Sequence, residues 1–456
     1  MKRNLFQIQA AVVLLIILLA VPCARAQQNS SSKELERVAA LISENRTAEA
    51  ERELNGILKV KPNDALALNL LGTIRAKQGR LDDAETIFSR AVAIDKEFLG
   101  AHMNLAYLYL LKGAPDKTIS ELREVLRLDP NNPEVRYKLA RLLLAQGRVD
   151  ECIAFIEEMR AAPPLPAPLL VVLGDAYLKR GDTARAEESY LLAVKQQSTS
   201  ADALLGLALL SQAKGDSQNA ALYLNRTRAL INDSPGLLYS FARVALNSGL
   251  TDDAVLALKR AVELRADEPR YYFLLGQAWL QKADLQEAEQ AFRRFIKYHP
   301  DDPQGQLYLG YVLLKQKKSA EAREWLEKSL QKDAGVPETF YYLGLIAQEQ
   351  VEDERAVEFF EKALRLAPSF ASAHIALGST YLKLKNFERA RVELEAGVKL
   401  KPDDPKAHYN LAMLYARLKD QQRAQEEMRI VEQLKGAGKT EDQESEILAP
   451  STSSPK

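Results

Sequence analysis

Few residues in this chain are suited to chemistry, and their spacing decides how much weight they carry. His102, His374 and His408 recur at equivalent points of a repeating pattern, the last two in adjacent segments. Paired imidazoles are the usual start of a transition-metal site, but such a site needs a third and fourth ligand. The sequence shows none recurring beside them, so packing at a semi-buried helix position is the expectation. Cys152 would act as a nucleophile only beside a histidine, and the spacing provides none. Gly436-Ala437-Gly438-Lys439-Thr440 matches the end of a phosphate-binding loop, yet Gln433 stands where that loop needs glycine, and a helical pattern precedes it. Carboxylate pairs are frequent but have no closed pocket to perturb them. The expectation is therefore no catalytic residue, no metal, no cofactor and no enzyme.

The elements that position these residues follow a 34-residue period running without insertion or deletion from Ser31 to Gly438, in twelve copies. The eighth residue of the copies is small almost throughout, as in Gly72, Ala106, Gly174, Gly276, Gly344 and Ala412. The twentieth is Ala in ten of them and Thr118 and Cys152 in the others. Cys152 thus reads as a substitute for a buried alanine. In the second copy Leu68, Leu71, Gly72 and Arg75 form one helical stripe, and Ala84, Phe88 and Ala91 form another. Between them Gly79 suits a left-handed helix stop and Asp82 an N-cap. Gly113 with Asp116, Gly147 with Asp150, and Gly249 with Asp252 repeat the signal. Pro62, Pro130, Pro164, Pro300, Pro368 and Pro402 share the thirty-second position, where the second helix must end. Larger residues at position 24 are expected to fill the space between copies.

Each copy is thus a helix–turn–helix, and the pattern resembles the tetratricopeptide repeat family. Leu275-Gly276, Trp279, Ala288, Phe292 and Pro300 carry the resemblance in copy eight, and Leu377-Gly378, Tyr381, Ala390, Leu394 and Pro402 in copy eleven. It implies an all-α, right-handed α-solenoid superhelix whose first helices line a concave face. In that family positions 5, 9 and 12 of the first helix face the groove. Here they include Tyr107, Tyr137, Arg141, Tyr239, Arg243, Phe273, Tyr311, Tyr341 and Tyr409, with aliphatic neighbours such as Met103, Leu110, Leu205 and Met413. A tyrosine-lined groove with scattered arginine suits an extended or helical peptide segment. The competing expectation is that superhelical neighbours bury these residues. The carboxylate-gripping variant of the family uses Lys at position 5 and Asn at position 9, a pair no copy holds. Asn104 and Asn410 match an asparagine that holds peptide backbone in superhelical relatives, but they are isolated.

Basic and acidic residues balance at 62 each, so the chain lacks the positive excess of nucleic-acid binders. Met1-Lys2-Arg3, the apolar run Ala10 to Val21 and Ala24-Arg25-Ala26 read as a signal peptide over residues 1–26, cut after Ala26. The run is short for a membrane span, which takes about 20 residues. Residues 27–30 form a short linker, 31–438 the solenoid and 439–456 a polar tail expected to be disordered. The proline-rich stretch Ala161 to Pro168, between copies four and five, predicts a changed angle or hinge. Together these features predict an exported, periplasmic or secreted, non-enzymatic scaffold that binds protein segments, with no nucleic acid and no small-molecule substrate. An uncleaved N-terminal segment would instead tether an accessory subunit of a bacterial envelope assembly for secretion, pilus formation or polysaccharide export.

Overall fold

The computed structural model describes residues 31–436, apart from 160–163 and 232. These residues form 24 α-helices, from Ser31–Ser43 to Gln421–Gly436, two to each copy, and no strand. The expected signal peptide, linker and tail fall outside them. The chain is an α-solenoid of helix–turn–helix repeats. Packing divides it into two compact units, with the boundary between Gly206 and Leu207. The proline-rich stretch lies within the first unit, and part of it is outside the described residues. There the second helix of copy four stops at Glu158 after 10 residues, where others run to 14. Pro166 then caps the next helix in extended backbone, φ −61° and ψ 146°.

The turn within each copy depends on one residue in the left-handed region. In copies two to seven it is glycine, from Gly79 (φ 76°) to Gly249 (φ 76°). Copies eight to twelve place Ala283, Lys317, Val351, Lys385 and Lys419 there, at φ between 57° and 65°. A β-branched side chain is strained in that region by roughly 1–2 kcal/mol. Val351 is 78 % exposed, so no packing repays it. Val351→Gly should therefore raise the urea midpoint of unfolding, by about 1 kcal/mol after the entropy cost of glycine. Lys385→Gly should gain less, and an unchanged or lower midpoint for Val351→Gly would refute the strain.

One expectation at this turn is corrected. Asp82, Asp116, Asp150 and Asp252 lie in the first turn of the second helices and do not cap them. The helices begin two residues earlier, with N-caps at Arg80, Ala114, Arg148 and Leu250, because an acidic side chain inside the first turn already meets the positive end of the helix dipole. These aspartates also reach the following turn: Asp82 pairs with Lys112 at 2.7 Å and Asp116 with Arg148 at 3.3 Å. Side-chain caps sit before several first helices, as at Asp64, Asn132, Asp302 and Asp404, and before the second helices of other copies at Asp182, Asp216, Asp284 and Asn386.

The core repeats with the period. The twentieth residue is buried in copies one to eleven, and the residue at position 24 lies against position 8 of its own copy. Phe88, Tyr190, Phe292 and Phe360 each face a glycine there: Gly72, Gly174, Gly276 and Gly344. A methyl group on Gly344 would stand 2.4 Å from Phe360, nearer than any real Cβ contact. Where position 8 is Ala, position 24 is never aromatic, as in Ala106 with Leu122 and Ala242 with Leu258. Position 24 was expected to fill space between copies, and it also decides how closely the two helices within a copy approach. Tyr190 does both, because its ring is held between Gly174 and Gly206 of the next copy. Across copies, the hydroxyls of Tyr177, Tyr381 and Tyr415 donate to Glu157, Glu361 and Glu395 at 2.8, 2.8 and 3.1 Å. Arg185, Arg389 and Arg423 lie over the same three rings.

Candidate partner-binding face

First helices of consecutive copies pack side by side, and the sequence-derived groove residues sit along that seam. In the first unit Tyr107 is half-buried, with its hydroxyl 3.4 Å from Glu134 and the Lys138 ammonium 4.5 Å from its ring centre. Lys138 also donates to the Tyr107 hydroxyl and to Glu134. Tyr137 is half-buried, and the exposed Arg141 donates to its hydroxyl at 3.2 Å. In the second unit Tyr239 is half-buried beneath the guanidinium of Arg270, 5.1 Å from its ring centre, and beside Tyr271 at 5.6 Å. Arg243 is half-buried and Tyr409 is 44 % exposed.

Three of the nine residues belong to the core. Phe273 is 6 % exposed, with ring centres of Phe295 and Tyr308 at 5.0 and 5.1 Å. Tyr311 and Tyr341 are 4 % and 2 % exposed, each against Tyr342. The reason is what packs against each ring. Tyr308 closes over Phe273 and Tyr342 over Tyr311, Tyr341 is enclosed within its own copy by Tyr342, Phe360 and Phe370, and Arg270 leaves Tyr239 accessible. The surface is therefore carried by Tyr107, Tyr137 and Arg141 in one unit and by Tyr239, Arg243 and Tyr409 in the other.

Sequence reasoning passed over two carboxylates on this seam. Asp175 accepts from the buried Tyr190 hydroxyl at 2.6 Å, and Asp202 follows on the next first helix. Both are exposed, on first helices that stand side by side in consecutive copies. Partial desolvation by the neighbouring helices raises the pKa of each, offset at Asp175 by the Tyr190 hydrogen bond and at both by Arg141. Asp175 occupies position 9, so its period could have flagged it. Its environment could not be read without Tyr190, which is longer than the residue most copies use there. Cys152 is fully buried with its thiol 3.3 Å from the Ala140 carbonyl, and burial pushes that thiol up to about 11. It packs as the alanine substitute expected.

The histidines gain a partner that the sequence reading overlooked. Nδ1 of His102, His374 and His408 lies 2.7, 2.6 and 2.6 Å from carboxylates of Glu121, Glu393 and Glu427 in the same copy. Nε2 lies 3.1, 3.0 and 2.9 Å from the carbonyls of Lys96, Pro368 and Pro402. Both partners only accept, so the full pair of bonds needs both ring nitrogens to carry protons. For His374 the Glu393 hydrogen bond raises the pKa; burial opposes it, and the Pro368 carbonyl and Glu393 charge add to the rise. A raised folded pKa gives stability that is complete below the unfolded value and lost as pH rises through the folded one. The urea midpoint should thus fall as pH climbs from mildly acidic to mildly alkaline, and His374→Gln should flatten part of that slope. An identical slope in the variant would contradict the assignment. Among the described residues no group of three or more His, Cys, Asp or Glu is arranged to hold a metal, and no helix is long and apolar enough to cross a membrane.

Comparison with known proteins places these repeats among established ones. Tetratricopeptide repeat models match residues 35–98, 337–370 and 354–418. A model of the cilia and flagella-associated protein 70 C-terminal domain matches residues 132–341, and one of anaphase-promoting complex subunit 3 matches 77–159. Protein O-mannosyl-transferase TMTC3 of Homo sapiens is 26 % identical over 209 residues, 42 % of this chain and 23 % of that protein. Cellulose synthase operon protein C of Komagataeibacter sucrofermentans is 31 % identical over 121 residues, 25 % of this chain and 9 % of that protein. Cytochrome c-type biogenesis protein CycH of Rhizobium meliloti is 31 % identical over 120 residues, 25 % of this chain and 30 % of that protein. The chain thus spans less than a third of each. Among solved structures, the APC/C hetero-tetramer Cut9-Hcn1 aligns over 86 % of this chain and 97 % of its own at 14 % identity, TM-score 0.43. Pseudomonas aeruginosa pilF aligns over 45 % and 94 % at 20 % identity, TM-score 0.40.

Proposed function

We propose that this protein, a tetratricopeptide-repeat chain and therefore a scaffold for contacts between proteins, grips partner segments on the open part of its first-helix seam. The observation that carries this reading is the pairing of half-exposed tyrosines with braced cations: Tyr107 with Lys138, Tyr137 with Arg141, and Tyr239 with Arg270. Rings held in one orientation lose little entropy when a partner covers them, and their hydroxyls and flanking charges give direction. No step of bond-making is assigned to the chain, and we read it as non-enzymatic. Export, with the mature protein beginning at Gln27, is part of the proposal and rests on the basic–apolar–Ala24-Arg25-Ala26 order of the N-terminus. N-terminal sequencing of the protein from its native host checks it, since a retained Met1 would favour the tethered envelope subunit.

The test compares the wild type with a Tyr107→Ala, Tyr137→Ala, Tyr239→Ala variant in pull-downs from envelope extract. Capture of a partner by the first and its loss from the second, with helicity and melting unchanged, is the expected result. Equal capture would move the binding site off the seam.

A further inference from the structure

We infer that the C-terminal face of copy twelve is an open slot for one amphipathic helix of a partner protein, bearing acidic residues beside its apolar stripe. Each copy presents the same trough between its two helices, and the following first helix normally fills it. Asn104 of copy three donates to Asn69 of copy two at 2.9 Å. Gly206 of copy six lies against Tyr190 of copy five, and Gly305 of copy nine against Phe295 of copy eight. The result is uniform burial: in copies one to eleven, position 24 is at most 4 % exposed.

Copy twelve breaks the rule. Met428 at position 24 is 39 % exposed, Tyr409 at position 5 is 44 % and Met413 at position 9 is 37 %. Ala416 is exposed as well, and no described helix follows. The first helix Pro405–Arg417 bears Lys406, Tyr409, Met413 and Arg417 at intervals of three and four, one continuous stripe. Both ends of the stripe are basic. The slot therefore continues an interface already built between consecutive copies of the second unit, and the first-helix edge of its rim, with Lys406 and Arg417, complements acidic flanks.

A second copy does not fit it. The corresponding outer face of copy one exposes Lys33, Glu36, Arg37 and Ala40, a polar cap of the kind solenoid ends need for solubility. Stacking that face on the slot would bury charges against Met413 and Met428. Two slots set face to face would oppose like charges at Lys406 and Arg417, with no ridge to enter either trough.

The probe is a fluorescein-labelled, helix-stabilised peptide copying residues 337–349, a first helix with Glu338 and Glu349 at its ends. Fluorescence anisotropy with the full chain should show saturable binding that weakens with salt. Met413→Glu and Met428→Glu should each weaken it by roughly tenfold, and a peptide with both glutamates replaced by lysine should also bind less well. The two methionines are surface residues, so neither change should alter melting or the sedimentation coefficient. No binding by the wild type, or equal binding by the variants, would overturn the proposal. So would equal binding of the lysine peptide. A drop in melting temperature or a change of mass with Met413→Glu would show that the chain's own residues or a second copy already fill the slot, which overturns it too. Because the Tyr107, Tyr137 and Tyr239 seam is untouched by these variants, failure here leaves that reading standing.

Discussion

Gly344→Ala should destabilise the array by about 1–3 kcal/mol although it adds one methyl group. The methyl would lie 2.4 Å from Phe360 Cε1, and Phe360 is fully buried, so the ring has no free volume to move into. Helix propensity argues the other way, since alanine favours helix over glycine by roughly 1 kcal/mol. The sign of the result thus decides whether packing or propensity governs position 8. Phe360→Leu removes the clash, and the Gly344→Ala, Phe360→Leu double variant recreates the pair that copy three carries as Ala106 and Leu122. Urea unfolding of the four proteins should give a coupling of about 1–2 kcal/mol, with the double variant more stable than the sum of the single changes requires. Simple additivity would mean that the ring and the glycine do not constrain each other.

Phe273→Ala should cost about 3–5 kcal/mol, while Tyr409→Ala should cost less than about 1 kcal/mol, although both occupy position 5. Phe273 is enclosed by Phe292, Phe295 and Tyr308, whereas Tyr409 has no following helix over it. Melting curves of the two variants check this directly. A Phe273→Ala protein as stable as the wild type would return that residue to the partner-binding surface. The same reasoning removes Phe273, Tyr311 and Tyr341 from any set of surface substitutions meant to probe binding, since their loss would be read as unfolding.

The architecture was legible because a period is a local property. Small residues at positions 8 and 20, proline at 32 and a turn glycine at 15 state where helices begin, end and touch, and neighbouring copies repeat the statement. Even the match of aromatic residues at position 24 to glycine at position 8 is written in the sequence, at Phe88, Tyr190, Phe292 and Phe360. The Asp82 family was misplaced by two residues because an acidic side chain stabilises a helix start from the cap or from the first turn, and the two leave the same trace. Glu121, Glu393 and Glu427 recur nineteen residues after their histidines, a spacing that means contact only once the two helices of a copy are known to be antiparallel neighbours.

By itself the sequence determined the repeat, its helices, its turns and its lack of a nucleic-acid-like charge excess, since each follows from residue types at fixed short separations. Which candidate residues face a partner was decided only by the tertiary structure. Exposure at positions 5 and 9 depends on what the next copy brings against them: Arg270 over Tyr239, aromatic rings around Phe273 and Tyr311, and no described helix beside Tyr409 and Met413. Burial belongs to a pair of surfaces, so no residue carries it alone.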